Sequence, residues 1–194
     1  MKEENKTAFF LTERELSLLL AAKGIHVFQG LPLQHMPFTQ QDILQTLLAL
    51  NKKGLLDGTE EGFQAAPEIS ACFAILQNAK GVLNLMPQVP EKPQLCCYPG
   101  EKVLVMEPSP LRQETFKLWI MTWHELGQWM RSCGRRLRGE YYRTPENTPL
   151  WQAELYVSQD EAVLEYQEGR EHIPPEEIGQ RIKAIIMEME GKGR

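Results

Sequence analysis

What this chain lacks says most about its chemistry. It has no Gly-x-Ser-x-Gly elbow, no His-Glu-x-x-His and no cysteine in a nucleophile setting, so none of the familiar hydrolytic machineries is written into it. Its four cysteines, Cys72, Cys96, Cys97 and Cys133, show no CxxC or CxH spacing, and His26, His35, His124 and His172 stand alone, which predicts no metal site and no cofactor. Nowhere does it approach the roughly 20 consecutive apolar residues needed to span a bilayer, so no membrane association is expected. The opening Met1-Lys2-Glu3-Glu4-Asn5-Lys6 carries acids and no apolar stretch of the signal-peptide kind, and we expect a cytoplasmic protein.

In a cytosolic setting the cysteines are expected as reduced, packed thiols, since adjacent Cys96 and Cys97 on an extended strand point to opposite faces. The net charge of −5 disfavours a surface built to hold phosphate backbones, because such binding relies on clustered Lys and Arg. What is present is apolar substance: 42% of 194 residues, enough for a core without metal or disulfide support.

Three helix starts share one device. Thr12 with Glu15, and Thr122 with Glu125, form capping boxes flanked by the staple pairs Leu11/Leu16 and Met121/Leu126; Thr39 with Asp42, flanked by Phe38 and Ile43, is a looser copy. They predict helices over 12–23, 39–53 and 122–133, with Gly24, Gly54 and Gly134 as the left-handed residues that end them. The second helix carries Ile43, Leu44, Leu47, Leu48 and Leu50, a stripe expected to face a core. A fourth helix is expected over 67–79, burying Ile69, Cys72, Phe73 and Leu76.

Beyond Gly81 the apolar period drops from 3.6 to 2 and prolines recur, predicting strands over 82–86, 95–98, 102–106 and 115–121, with Pro99-Gly100 turning the second onto the third. We expect an irregular Arg-rich connection over 131–149, then a hairpin of 151–157 and 162–167, then an amphipathic helix opened by Pro174-Pro175-Glu176-Glu177. The fold class is therefore α+β. A helical part, 1–80, packs on a mostly antiparallel sheet with helices, 81–194, as one compact unit closed by the C-terminal helix.

Within the first part, the helix over 39–53 running through Lys52-Lys53-Gly54-Leu55-Leu56 into a short polar hairpin looks like the second half of a winged-helix unit. More broadly, residues 11–130 resemble the EspG-type chaperones of ESX (type VII) secretion. The likeness lies in an opening LTxxEL helix, a second helix ending LNKKGLL, a PEIxxCFxxL helix, and a sheet ending FKLWIMTWHELGQWM. It covers about two thirds of the chain and rests on element order; it implies a non-enzymatic adaptor that binds secreted partner proteins.

Two sets of residues are candidates for recognition. Arg131, Arg135, Arg136, Arg138 and Arg143, interleaved with Tyr141 and Tyr142, could pair with anionic groups and stack on bases, or else pair with acids such as Glu154, Glu165, Glu176 and Glu177. Trp119 and Trp123 could anchor a partner, or else be core. His124-Glu125 invites a general-base reading, but helix neighbours point about 100° apart and Glu125 is already the capping residue. The expected function is accordingly protein binding, as an adaptor, chaperone or regulatory subunit. The alternatives are a nucleic-acid-binding regulator using Lys52, Lys53 and the arginines, and, third, an enzyme; homo-oligomerisation is open.

Overall fold

The computed structural model describes residues 7–31, 33, 37–59, 62–109, 114–134, 136–158, 160–167 and 169–191. Three capping boxes set its helix starts. In α1 (Glu13–Ala22), α2 (Gln40–Lys52) and α4 (Trp123–Ser132), the N-cap threonines 12, 39 and 122 each accept the N–H of the third helical residue, whose carboxylate returns to the threonine N–H. In α1 those bonds are Glu15 N to Thr12 Oγ1 at 3.3 Å and Thr12 N to Glu15 Oε2 at 2.7 Å. Gly24, Gly54 and Gly134 follow the three helices with φ of +68°, +70° and +85°, a region open to glycine at little cost. α3 (Pro67–Asn78) starts on a proline, whose missing N–H would have no partner there anyway.

The strands are β1 (Phe9–Thr12), β2 (Leu56–Thr59), β3 (Gly62–Ala65), β4 (Gly81–Pro87), β5 (Leu95–Tyr98), β6 (Val103–Pro108), β7 (Thr115–Met121), β8 (Arg136–Arg143), β9 (Trp151–Val157), β10 (Ala162–Tyr166) and β11 (Gly169–Ile173). Nine of them form one antiparallel sheet in the order β1-β7-β6-β5-β4-β8-β9-β10-β11, and β2 and β3 form a separate hairpin. A 3-10 turn, Pro175–Glu177, leads into α5 (Ile178–Gly191). This is an α+β fold with a large antiparallel sheet and a C-terminal helix, as the hydropathy periods predict.

The centre of the sheet is buried on both sides, which is why β5 and β6 read as unbroken apolar runs, LCCY and VLVM, all buried. Cys97, Val103 and Val105 join Trp123, Leu126 and Met130 of α4 and Ile178, Ile182 and Ile186 of α5 in one core. Cys96, Leu104 and Met106 join Leu16 and Leu20 of α1, Leu50 of α2 and Ile69, Phe73 and Leu76 of α3 in the other. The adjacent cysteines thus serve opposite faces as expected, and all four cysteines are free and buried. Strands β8 to β11 bury apolar residues on the α4/α5 side and present polar residues on the other.

Two expectations are corrected. The 131–149 segment is not an irregular connection: 136–143 is strand β8, inserted between β4 and β9. Its sequence RLRGEYYR alternates Leu137, Gly139 and Tyr141, all buried, with Arg136, Arg138 and Glu140 on the other face, so Arg136 and Arg138 belong to the outward half of a period-2 strand. The α2 stripe does not all face a core either. Leu50 is fully buried, but Ile43, Leu44 and Leu48 are 37%, 56% and 56% exposed. Their apolar arc spans roughly 160° of the helix circumference, more than the contact with α1 and β2 covers. Strands β1 and β11 were not expected: β1 is four residues long, and β11, GREHI, carries three ionisable residues.

Candidate functional site

Arg136, Arg138 and Arg143 are divided between opposite faces of one strand, and the first two are matched by acids. Arg136 Nε donates to Glu154 Oε2 at 3.1 Å, and its guanidinium stands 5.6 Å from the Tyr156 ring centroid. The Glu154 hydrogen bond pushes the Arg136 pKa above its usual value. Arg138 pairs with Glu140, which also accepts from Tyr142 Oη at 2.6 Å and Gln152 Nε2 at 3.2 Å. Arg143 lies on the other face, where Nη2 donates to Met189 O at 2.9 Å at the end of α5. Arg131 is exposed in the last turn of α4, and Arg135 lies outside the described residues. Of the interleaved tyrosines, Tyr141 is fully buried and donates to Glu190 Oε1 at 2.7 Å.

Both tryptophans are built into the core. Trp123 is 3% exposed and donates its Nε1–H to Gly100 O at 3.0 Å; Trp119 is 8% exposed, with Lys117 Nζ 4.4 Å from its ring centroid. His124 meets Gln128 at 3.0 Å, while the Glu125 carboxylate accepts from Thr122 N at 2.7 Å, so the two side chains serve different neighbours. Among the described residues no group of three His, Cys, Asp or Glu side chains could hold a metal ion, and no helix is long and apolar enough to cross a membrane.

Two concavities flank the C-terminal strands. A cleft of about 1100 Å3 between the end of α4 and the β9–β10 turn is lined by Arg131, Ser132, Tyr156, Asp160 and Glu161. A groove of about 390 Å3 between α5 and β9–β10 is lined by Leu150, Trp151, Tyr166, Arg181, Ile185 and Glu188. In the groove Arg181 is already held by Glu171 through two bonds, at 2.7 and 3.0 Å.

The feature that stands out is the outward side of α2. Of the eight large apolar residues that are well exposed among those described, Ile43, Leu44 and Leu48 are on this one helix, and Phe63, 46% exposed, is on the hairpin that follows it. Around Leu44 and Leu48 the exposed neighbours are Gln40, Gln41, Gln45, Asn51 and Lys52. Sequence reasoning found these leucines and gave them the wrong side, because periodicity locates an apolar arc without saying what covers it.

Polar contacts hold α2 in this orientation at both ends. Arg14 of α1 pairs with Asp42, whose carboxyl is held below the ordinary carboxylate range chiefly by hydrogen bonds from Thr39, side chain then backbone, with Arg14 adding to them. Lys53 Nζ reaches buried Glu15 Oε2 at 2.6 Å and Phe10 O at 3.0 Å, and Asn51 Nδ2 donates to Leu56 O at 2.8 Å. Thr46 and Leu50 face inward, Thr46 Oγ1 donating to Asp42 O at 2.7 Å. Such a helix can offer a preset apolar seam to another helix or surface, an arrangement suited to recognition.

No protein-family model matches the chain, and no curated protein matches it.

Proposed function

We propose that the protein is a non-enzymatic, cytoplasmic protein-binding adaptor, chaperone or regulatory subunit that engages its partner through the outward face of α2. The observation that carries this reading is the exposure of Leu44 and Leu48 on a helix pinned at both ends. Clustered, exposed apolar side chains on an otherwise polar surface mark interaction sites. The resemblance of 11–130 to EspG-type secretion chaperones points the same way, toward a partner protein in place of a substrate.

The nucleic-acid reading draws less support. In a reading helix, polar and cationic side chains meet the groove; α2 presents leucines there, Lys53 is engaged by Glu15, and Arg136 and Arg138 are matched by Glu154 and Glu140. A photo-crosslinker placed at Leu48 in the native host, with recovered material identified as protein or DNA, tests the choice. The expected result is one specific protein, lost in the Leu44→Glu variant. Recovery of DNA without protein, together with a mobility shift that weakens steeply with salt, would replace this reading with the nucleic-acid one.

A further inference from the structure

We propose that Lys53 and Glu15 form an autoinhibitory contact that closes one edge of the large sheet, keeping β1 from pairing with a strand of another molecule. A strand at the margin of a sheet offers the backbone groups that its one neighbour does not use, and a further strand can add to them. Among the described residues the nine-stranded sheet ends on β1 at one side and on β11 at the other.

The two edges are built differently. β11 carries Arg170, Glu171 and His172 in succession, so its own side chains deter an added strand. β1 reads Phe9-Phe10-Leu11-Thr12, has no ionisable residue, and leaves Phe10 42% exposed. Apolar, uncharged and β-favouring, it is the edge that needs cover from elsewhere.

That cover comes from α1 and α2. The Thr12 N–H is given to Glu15 Oε2 at 2.7 Å, so Thr12 turns its backbone donor away from β7. Outward-facing residues alternate along an antiparallel ladder, so Phe10, opposite Lys117 in the register, faces outward as well. Lys53 Nζ meets it there, donating to Phe10 O at 3.0 Å and to the same Glu15 oxygen at 2.6 Å. One ion pair thus occupies an acceptor and a donor of this short edge, with its cation supplied from 43 residues away in the sequence. Both members are held from behind: Glu15 is buried and belongs to the α1 capping box, and Lys53 is the C-cap residue of α2. A strand entering here would have to displace the ammonium and leave a buried carboxylate uncompensated, which is what makes the contact a barrier.

The test removes the guard without stranding a charge. In the full chain, Lys53→Met keeps the aliphatic stem, and Glu15→Gln keeps a residue that serves a capping box. Sedimentation of this double variant over a concentration series is expected to show a mass rising above that of the wild type, at unchanged circular dichroism. Lys53→Arg, which retains a cation, is expected to sediment as the wild type does. In the associated form, amide exchange over residues 8–12 should slow roughly tenfold. Adding Phe10→Thr removes the exposed ring and keeps the backbone, and association should survive it. Lys53→Met alone, which leaves α1 unchanged in sequence, is read in parallel should the double variant fold poorly. A folded variant that sediments as the wild type does at every concentration would overturn the proposal. So would association that leaves exchange over 8–12 unchanged, or that Phe10→Thr abolishes, since the exposed ring and not the strand edge would then be the cause.

Discussion

Gly127 of α4 and Gly179 of α5 meet backbone to backbone. A Cβ built on Gly127 would lie 2.8 Å from Gly179 N and 3.2 Å from its Cα, and one on Gly179 would overlap the Trp123 carbonyl oxygen. With no side chain between them the two helices close down on the sheet, seating Ile178 and Ile182 beside Leu126 in the same core.

Either glycine replaced by alanine must push the helices apart. Overpacking of this kind costs roughly 1–3 kcal/mol, and backbone atoms give way less easily than side-chain tips, so Gly179→Ala is expected at the upper end. Gly191, at the far end of α5, has nothing within 4 Å of its Cβ position. Gly191→Ala is therefore expected to be neutral or stabilising by up to about 1 kcal/mol. Urea midpoints of the two variants check the contrast, and equal midpoints would refute it.

The end of α5 is held by Tyr141. Its hydroxyl donates to Glu190 Oε1 at 2.7 Å, Lys80 Nζ stands 3.7 Å from Glu190 Oε2, and Arg143 Nη2 donates to Met189 O at 2.9 Å. Burial first, then the Glu190 bond, push the Tyr141 pKa well above its usual range, so it remains a donor at neutral pH. Tyr141→Phe is expected to cost about 1 kcal/mol. Amide exchange should quicken in the last turn of α5 and hold steady at Ile178.

All four thiols are expected to be silent toward an exchange reagent at pH 8 until the protein unfolds. Burial pushes Cys72 and Cys133 up to about 11 and Cys96 up to about 12, and it raises Cys97 well above the ordinary thiol value, with Cys96 beside it adding to the effect. The thiolate is the reacting form, so both access and ionisation are withheld. Labelling followed across a urea series should track the unfolding curve; prompt reaction of Cys133 would show the end of α4 opening by itself.

Acid should loosen the start of α2. Asp42 has its pKa lowered by Thr39 first and Arg14 after it. A group with a depressed folded pKa contributes stability that is fully present above its unfolded value and is lost as pH falls through the folded one. The loss is expected below about pH 4, the range of an ordinary Asp. Titration of the Asp42 carboxyl by NMR gives the folded value directly, and Asp42→Asn should remove the α2 contribution to the acid transition.

Much of this molecule is legible residue by residue. Thr12, Thr39 and Thr122 with their third-position acids mark three helix starts, and Gly24, Gly54 and Gly134 mark their ends, since capping joins groups three or four residues apart. The strand pieces 95–98, 115–121 and 151–157 are equally readable, because a half-buried or buried strand shows its period without reference to its neighbours. β8 was hidden by its chemistry: arginines on a solvated sheet face look like loop arginines until the buried Leu137 and Tyr141 are seen between them.

The chain by itself determined where its helices begin and stop, that its class is α+β, and that its cysteines divide between two faces; each rests on interactions a few residues long or on simple periodicity. The tertiary structure alone decided which side of α2 meets water and that the arginines of β8 lie on opposite faces of a shared strand. Those outcomes depend on partners remote in the sequence, Glu15 for Lys53, Arg14 for Asp42 and Glu154 for Arg136, which local pattern cannot name.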